Sequence, residues 1–550
     1  MQNRFHGFVA LVVSMLMHVV VHISCGFYYE TGSMTYLKNV VAGTFTSTPQ
    51  IIPRAFGAHT GFSDLYIWLY QHCPGWEWHD IFMLGFSVAG LALLIMALYA
   101  AIRHSLSERK SNTTIFVWAL IASVAFYADN LLQTELTRSS ITIAFSAFFL
   151  LVFEARKWWH YLLLNVILVS ATLIRTEVFG FSVMLILPAV LAGAGLKRLV
   201  YCLTPTLILY VVFLVAINAG LTAEERAYLA FRPYQFILLD YEIKKEVPFE
   251  SPQDSMAILL AKNGFWCDEG VIDEKLFRKY YLPLDKIPSN FFNYLKAVDW
   301  KPHTLIKKAM RVSTRYYILL LLPLLLLSLQ TIAKSRGPWL SLPLVLYYAV
   351  LLAGLLVFIK IEDRVLYPAL IAFLVLSLRI CSACFLQLYL LVAIVVCCII
   401  AGFGYKQMQE TRDIDDYMRR LEKTLEKQPA GSVAVYDLKA VTDYGLKLSL
   451  KRQSPAIKKA SIDNGLLHLN TQLQKDNLQT FGNDKCADMI AGTATDSSFV
   501  WVSCEGRMKL ILAYMRIVHG LSMHYVVLDN FGAVKNENVY PRIMRLYLDN

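Results

Sequence analysis

Ionisable side chains gather in short polar segments between the long apolar stretches of this 550-residue chain. Asp64 lies in the aromatic segment "GFSDLYIWLY", and Asp129, Glu135 and Arg138 share the segment "ADNLLQTELTR". Burying a carboxylate beside lipid costs free energy, so such a residue usually has an ion-pair partner or a function. A carboxylate of this kind can take the proton from a hydroxyl group. We therefore treat Asp64, Asp129 and Glu135 as candidate catalytic groups.

A second set of charged residues would suit an anionic ligand. These residues are Arg138, Arg175, Glu177, Lys360 and Arg364. A guanidinium group forms bidentate hydrogen bonds with phosphate oxygens. It would stabilise a leaving phosphate as its negative charge grows. The alternative is structural, because charged side chains near lipid usually pair with each other. Arg175 could pair with Glu177, and Arg364 lies beside two acids of its own segment.

The composition indicates that lipid surrounds most of the chain. Hydrophobic residues make up 56% of it and charged residues only 17%, a balance that soluble globular domains do not show. The formal net charge of +11 is explained by Lys and Arg in cytoplasmic loops. No basic run interleaved with aromatic residues stands out, so we expect no nucleic-acid partner.

Apolar stretches of about 15–22 residues recur, and each can cross a bilayer or nearly so. A chain in lipid must satisfy its own backbone hydrogen bonds, so each span should be helical. We predict about eleven spans, at 8–26, 81–102, 112–128, 139–154, 158–174, 178–196, 199–219, 316–332, 340–359, 365–378 and 384–404. The fold class expected for residues 1–405 is therefore an all-α polytopic membrane domain.

Basic residues set the expected orientation of these spans. They cluster in four connections, at 103–110, 156–157, 197–198 and 334–336. If these connections are cytoplasmic, the N-terminus is cytoplasmic as well. Residues 27–80, residues 220–315 and everything after residue 405 then lie outside. We expect a multi-pass protein of a bacterial inner membrane, with its C-terminal domain in the periplasm.

The polar C-terminal part predicts a small α/β domain over residues 406–550. A charged, helix-like stretch is followed by the strand-like runs "GSVAVYDL", "SSFVWVSC" and "SMHYVVLDN". Residues 220–315 predict a short helical subdomain that rests on the membrane. In an oxidising compartment, Cys486–Cys504 and Cys25–Cys73 are candidate disulfides, and the sequence leaves the pairing open.

These features resemble the GT-C superfamily of polytopic membrane glycosyltransferases, which use polyprenyl-phosphate sugars as donors. The resemblance covers most of residues 1–380, mainly as architecture. It rests on an acid in the first outer loop (Asp64), acids after the third span (Asp129 or Glu135) and Arg364 ahead of Pro368. The stretches "NLLQTELTRSSITIAFSAFF" and "NGFWCDEGVIDEKLF" also resemble a group of poorly characterised bacterial membrane proteins.

The resemblance implies that a sugar moves from a polyprenyl-phosphate donor to a glycan, lipid or protein of the cell envelope. Asp64 would be the base, although the family more often carries a paired Asp-Glu in this loop. Glu77, Asp80 and Glu30 are therefore alternative bases, and Asp80 could simply cap the second span.

Two other classes of function fit the same sequence. The chain could be a transporter or flippase of lipid-linked sugars, although the paired broken helices of many transporters do not stand out. It could also be a non-catalytic scaffold of an envelope assembly, with residues 406–550 docking a protein partner. No metal ligands are predicted, because the histidines of the first loop match no metal signature, although a divalent cation would be compatible with the acids.

Overall fold

The computed structural model describes most of the membrane domain and the C-terminal domain. The described residues are 2–26, 28–29, 38, 42, 44, 62–106, 111–155, 157–175, 178–193, 196–223, 226, 247–265, 268, 270–281, 319, 346–348, 350–351, 363–380, 386–437, 447–452, 457–462, 478–479, 481–483, 485–529, 531 and 540–549. Glu30, Glu177, Lys360, the side chain of Arg364 and most of the predicted spans at 316–332 and 340–359 lie outside this set.

Helices account for nearly all of the described chain up to residue 425. They are α1 (Gln2–Cys25), α2 (Ser63–His72), α3 (Trp78–Leu106), α4 (Asn112–Leu132), α5 (Leu136–Phe153), α6 (Trp158–Ile174), α7 (Val178–Gly193), α8 (Leu196–Ala219), α9 (Pro252–Lys262), α10 (Glu274–Tyr280), α11 (Asp363–Ile380) and α12 (Leu386–Leu425). Two short strands, β1 (Tyr28–Tyr29) and β2 (Gln133–Thr134), pair in parallel.

Six of these helices, α1, α3, α4, α5, α8 and α12, are long and apolar enough to cross a membrane. Three shorter apolar helices lie within α6, α7 and α11. Together they coincide with nine of the predicted spans in the part of the chain that is described. The protein is therefore a mostly helical, multi-pass membrane protein.

Helix α5 lies at the centre of the bundle, where it contacts α3, α6, α7 and α11. Almost every side chain of α5 is buried, including Ser139, Ser140, Ala144 and Ala147. Small side chains allow neighbouring helices to approach closely, which is the main source of packing energy between helices in lipid. The position of α5 fixes both of its ends relative to the surrounding helices.

The two ends of the bundle differ in what they contact. At one end, the guanidinium of Arg103 lies 2.6 Å from the carboxylate of Glu154, and Arg198 donates to the carbonyl of Ala155 at 3.2 Å. At the other end, α12 leaves the bundle toward a β-sheet. We call the end at which α12 leaves the bundle the domain end, and the end with Arg103 and Arg198 the opposite end.

The C-terminal domain has the predicted mixed α/β character. Its strands are β3 (Val433–Asp437), β4 (Lys458–Ile462), β5 (Phe499–Ser503), β6 (Met523–Val527) and β7 (Arg542–Leu548), with helices α13 (Cys486–Thr495) and α14 (Glu505–His519). The strand order is β4-β3-β5-β7-β6. Strand β3 runs parallel to β4 and β5, and β7 runs antiparallel to β5 and β6.

The sheet buries both of its faces, since alternate residues of a strand point to opposite sides. Val435 and Trp501 face a core that includes α13, α14 and the described part of residues 257–281. Helices α9 and α10, which the sequence places on the membrane surface, thus pack against the C-terminal domain. Ala434 and Val500 face the other core, which includes the polar half of α12.

Helix α12 joins the two parts of the protein as one continuous element of 40 residues. At 1.5 Å per residue it is about 60 Å long, which is twice the thickness of the hydrocarbon layer. Its first half is apolar up to Tyr405, and charged residues begin at Lys406. The predicted boundary between domains at residue 405 therefore falls inside a helix.

Neither of the disulfide pairings proposed from the sequence is present among the described cysteines. Cys25, Cys73 and Cys504 are thiols, whereas Cys486 is disulfide-bonded. The pairings Cys486–Cys504 and Cys25–Cys73 were therefore wrong. Nothing in the spacing of the cysteines could have selected the pair, because the choice depends on tertiary packing.

Candidate functional site at the domain end of the bundle

Two junctions of the membrane domain meet at the domain end. Strand β1 follows α1, and strand β2 connects α4 to α5. Their parallel pairing places Tyr28 opposite Gln133 and Tyr29 opposite Thr134. The first extramembrane segment therefore lies directly against the α4–α5 junction, which carries the predicted residues Asp129 and Glu135.

Asp80, in the first turn of α3, is completely buried and accepts hydrogen bonds from three separate parts of the chain. The hydroxyl of Tyr29 donates to Oδ1. Lys38 Nζ lies 2.8 Å from Oδ2, and the backbone N–H of Ser449 donates to Oδ2 at 2.6 Å. Asp80 thus does more than cap a helix, because it joins β1, Lys38 and the C-terminal domain.

Glu77 precedes α3 and is also buried, with 4% of its surface exposed. Its carboxylate accepts a hydrogen bond from the hydroxyl of Tyr70, and it lies 4.0 Å from Lys38 Nζ. Its backbone N–H donates to the carbonyl of Leu450 at 3.0 Å. We call Tyr29, Lys38, Tyr70, Glu77 and Asp80 the carboxylate cluster.

Burial shifts the protonation of this cluster. Burial raises the pKa of Glu77 to about 7, and the ammonium of Lys38 only partly offsets that effect. Burial disfavours the charge of Lys38, yet the carboxylates of Asp80 and Glu77 raise its pKa above the usual value. Lys38 is therefore charged at neutral pH, while the carboxyl of Glu77 can gain or lose a proton there.

Asp129 and Arg138 form a buried ion pair at the α4–α5 junction. Arg138 Nη1 lies 2.6 Å from Asp129 Oδ2, and the two side chains are 1% and 3% exposed. The guanidinium also stacks over the ring of Tyr367 in α11, 5.5 Å from its centroid. This pairing favours a structural role, so the predicted catalytic role of Asp129 and phosphate role of Arg138 stay predictions.

Glu135 caps the first turn of α5. Its carboxylate accepts the backbone N–H of Arg138 at 2.7 Å and so satisfies one N–H group of the first turn. Its own backbone N–H donates to the side-chain carbonyl of Asn130 at 3.4 Å. Glu135 therefore helps to hold the α4–α5 junction, and its predicted catalytic role is neither required nor tested by this geometry.

A polar network links the domain end to the bundle interior. His18 Nδ1 lies 2.8 Å from the carbonyl of Ser14, so this nitrogen must be the donor. His18 Nε2 then accepts from Ser87, 2.9 Å away, and Asn130 donates to Ser87 and Ser139 at 3.1 and 3.2 Å. These bonds fasten α1, α3, α4 and α5 together.

The remaining predicted residues are not all brought together. Asp64 is exposed in the first turn of α2, whereas Tyr66 and Tyr70 of the same helix point into the protein core. Arg175 is the C-cap residue that follows α6 and is half-buried at the domain end, next to Ile174, which packs in the same core as Tyr29. Arg364 lies in the first turn of α11.

No group of three or more metal-ligating side chains is assembled within the described residues. In comparisons with known proteins, the chain matches no protein-family profile and no curated protein. The interpretation of the site therefore depends on its own geometry and chemistry.

Proposed function

We propose that the protein is a membrane glycosyltransferase of the GT-C type. It would transfer a sugar from a polyprenyl-phosphate donor to a glycan, lipid or protein of the cell envelope. The observation that carries this proposal is the buried pair Glu77 and Asp80, held with Lys38 where several membrane helices end. A carboxyl group of pKa about 7, buried close to the membrane surface, is suited to proton transfer at neutral pH.

The proposal includes an orientation, with the domain end outside the cytoplasm. Arg103, Arg198 and Arg379 lie at the opposite end, and basic residues mark the cytoplasmic ends of membrane helices. The disulfide of Cys486 supports an oxidising compartment for the C-terminal domain. In a bacterium, this arrangement corresponds to the inner membrane with a periplasmic domain.

In the proposed reaction, the ionised carboxylate of Glu77 takes the proton of an acceptor hydroxyl. The hydroxyl oxygen attacks the anomeric carbon of the donor sugar, and the bond from that carbon to the phosphate oxygen breaks. Polyprenyl phosphate leaves with the bonding electrons. Asp80 would not react, because Tyr29, Lys38 and Ser449 already occupy its oxygens. Its role would be to position Lys38.

Positive charge near the leaving phosphate would stabilise the growing negative charge. Lys38 and Arg175 are the described residues proposed for this role, and Arg364 and Lys360 are proposed for it from the sequence. The carboxylate of Glu177 would position Arg175 rather than contact the phosphate. The Asp129–Arg138 pair would hold the α4–α5 junction against β1. Acceptor access to Glu77 requires movement of the segment around Leu450, which bonds to its backbone.

The test uses the purified protein in sealed liposomes with a panel of polyprenyl-phosphate pentoses and hexoses. Envelope extracts supply acceptors, and released polyprenyl phosphate is measured together with sugar incorporated into the extract. A transferase releases polyprenyl phosphate with at least one donor. A flippase moves the intact donor across the bilayer without release, and a scaffold does neither. Either of the last two results would contradict the proposal.

A further inference from the structure

A polar recess opens at the domain end, separate from the carboxylate cluster. Its volume is about 220 Å³. The last turn of α1 and the glycine that follows it, His22 to Gly26, form one wall. The remaining lining comes from Tyr28, Arg412, Asp415, Asp416, Arg419 and Lys447. The recess therefore lies between the end of a membrane helix and the polar half of α12.

The charges of the recess are only partly balanced. Arg419 Nε lies 2.9 Å from Asp415 Oδ2, and the backbone N–H of Lys447 donates to Asp415 Oδ1 at 3.2 Å. Asp415 is thus neutralised by its own neighbours. The guanidinium of Arg412 and the ammonium of Lys447 form no ion pair with any described residue. The side chains of Arg412 and Lys447 therefore both line the recess without an ion-pair partner among the described residues.

The depth of the recess relative to the membrane restricts its occupant. The apolar span of α1 ends at Cys25, which lines the recess. Arg412 follows Tyr405, the last residue of the apolar half of α12, by seven residues, or about 10 Å along a helix. This is the level of the lipid headgroups. The commonest anions at that level are phosphate groups of lipids.

We propose that this recess binds the phosphate group of a membrane lipid. Arg412 and Lys447 would contact the phosphate oxygens, since charge-assisted bonds to phosphate are strong. The exposed carboxylate of Asp416, which lines the same recess, would accept a hydrogen bond from a hydroxyl or ammonium of the attached headgroup. The proposal does not depend on the transferase activity.

An occupant of the recess would lie close to the carboxylate cluster. Lys447 forms an antiparallel bridge with Tyr28, whose neighbour Tyr29 donates to Asp80. Ser449, two residues after Lys447, donates its backbone N–H to the same carboxylate. Lipid binding would therefore tighten the contact between the C-terminal domain and the first extramembrane segment.

The test measures lipid binding by the full-length protein in micelles of an alkyl maltoside detergent, which carries no phosphate group. Phosphatidylglycerol, polyprenyl phosphate or soluble inorganic phosphate is added, and the shift in the unfolding temperature is recorded. The recess variant is Arg412→Gln/Lys447→Gln. The control is Lys406→Gln/Lys423→Gln, which removes the same charge from exposed positions of α12 outside the recess. Neither altered side chain of the recess variant pairs with a described residue, so we expect its unfolding temperature without added lipid to stay unchanged.

We expect wild type and control to bind phosphatidylglycerol or polyprenyl phosphate with similar affinity. The recess variant should bind the same lipid at least about tenfold more weakly. An effect of phosphatidylglycerol identifies a phospholipid as the source of the phosphate, and an effect of polyprenyl phosphate alone identifies the carrier lipid. Equal binding by the recess variant, or an equal loss in the control, overturns the proposal. Stabilisation by soluble phosphate without either lipid overturns the assignment to a lipid.

Discussion

The hydroxyl of Tyr29 donates a hydrogen bond to the buried carboxylate of Asp80. Because the backbone of Tyr29 also pairs with Thr134, this residue holds the start of α3 against the α4–α5 junction. Asp80 in turn accepts the backbone N–H of Ser449 from the C-terminal domain. Four segments that are far apart in the chain therefore meet around one carboxylate at the domain end.

The pH dependence of stability should report on Glu77. Burial raises its pKa from 4.5 to about 7, so the folded protein binds this proton more tightly than the unfolded chain does. The resulting stabilisation is fully present below about pH 4.5 and is lost as the pH rises through about 7, a change of about 3 kcal/mol. We expect Glu77→Gln to lose less stability than wild type between about pH 5 and about pH 8, measured by unfolding in detergent.

The matched control for this prediction is Asp64→Asn. Asp64 belongs to the same segment of the chain and is exposed, so this variant removes one negative charge without removing a buried carboxyl group. If wild type and Glu77→Gln lose stability in parallel as the pH rises, the carboxyl of Glu77 is not buried in the manner described.

Two glycines of α12 should respond differently to the same substitution. A Cβ atom at Gly404 would collide with the carboxylate of Asp129, whereas nothing lies within 4 Å of a Cβ atom at Gly402. Gly404→Ala should push Asp129 away from Arg138 and destabilise the protein by about 1–3 kcal/mol. Gly402→Ala should be neutral or stabilise by up to about 1 kcal/mol. Equal thermal stability of the two variants would show that α12 does not approach α4 closely.

A double-mutant cycle should separate structure from chemistry at the buried ion pair. Asp129→Leu or Arg138→Met alone leaves an uncompensated buried charge and should destabilise the protein by about 3–5 kcal/mol. The double variant should recover much of this loss, because no charge is then left unpaired. Sugar transfer should return with stability if the pair is structural. A stable but inactive double variant would instead give the pair a catalytic role.

Labelling of single cysteines should establish which end of the bundle is outside. Cys73 is an exposed thiol at the domain end, and Lys157 is exposed at the start of α6, at the opposite end. All thiols other than Cys73 are first replaced by Ser, since Cys25 and Cys398 are also accessible thiols. A membrane-impermeant maleimide added to intact cells, with the outer membrane made permeable, should then label Cys73. In the same background with Cys73→Ser, Lys157→Cys should be labelled only after the inner membrane is disrupted. The reverse pattern would invert the proposed orientation.

The membrane helices and the mixed sheet could be predicted because their signals are local. A run of apolar residues determines a span, and alternating side chains determine a strand, without knowledge of distant contacts. The continuity of α12 past Tyr405 was missed, because a change from apolar to charged residues resembles a boundary even when the helix goes on.

The carboxylate cluster could be predicted only in part. Asp80 lies 42 residues from Lys38 and 369 residues from Ser449, and no sequence period relates such partners. The exposure of Asp64, in contrast, could have been predicted from the sequence. Tyr66 and Tyr70 are four residues apart and mark the inward face of α2, which places Asp64 on a different face.

The most direct test of the account compares sugar transfer by Glu77→Gln, Asp64→Asn and wild type at matched protein levels in liposomes. A base in the proposed reaction should be needed for turnover, so we expect Glu77→Gln to lose at least about a hundredfold in rate. Asp64→Asn should retain the wild-type rate, and the wild-type rate should rise with pH through about 7. A Glu77→Gln protein that transfers sugar as fast as wild type, or an inactive Asp64→Asn protein, would contradict the assignment of the base.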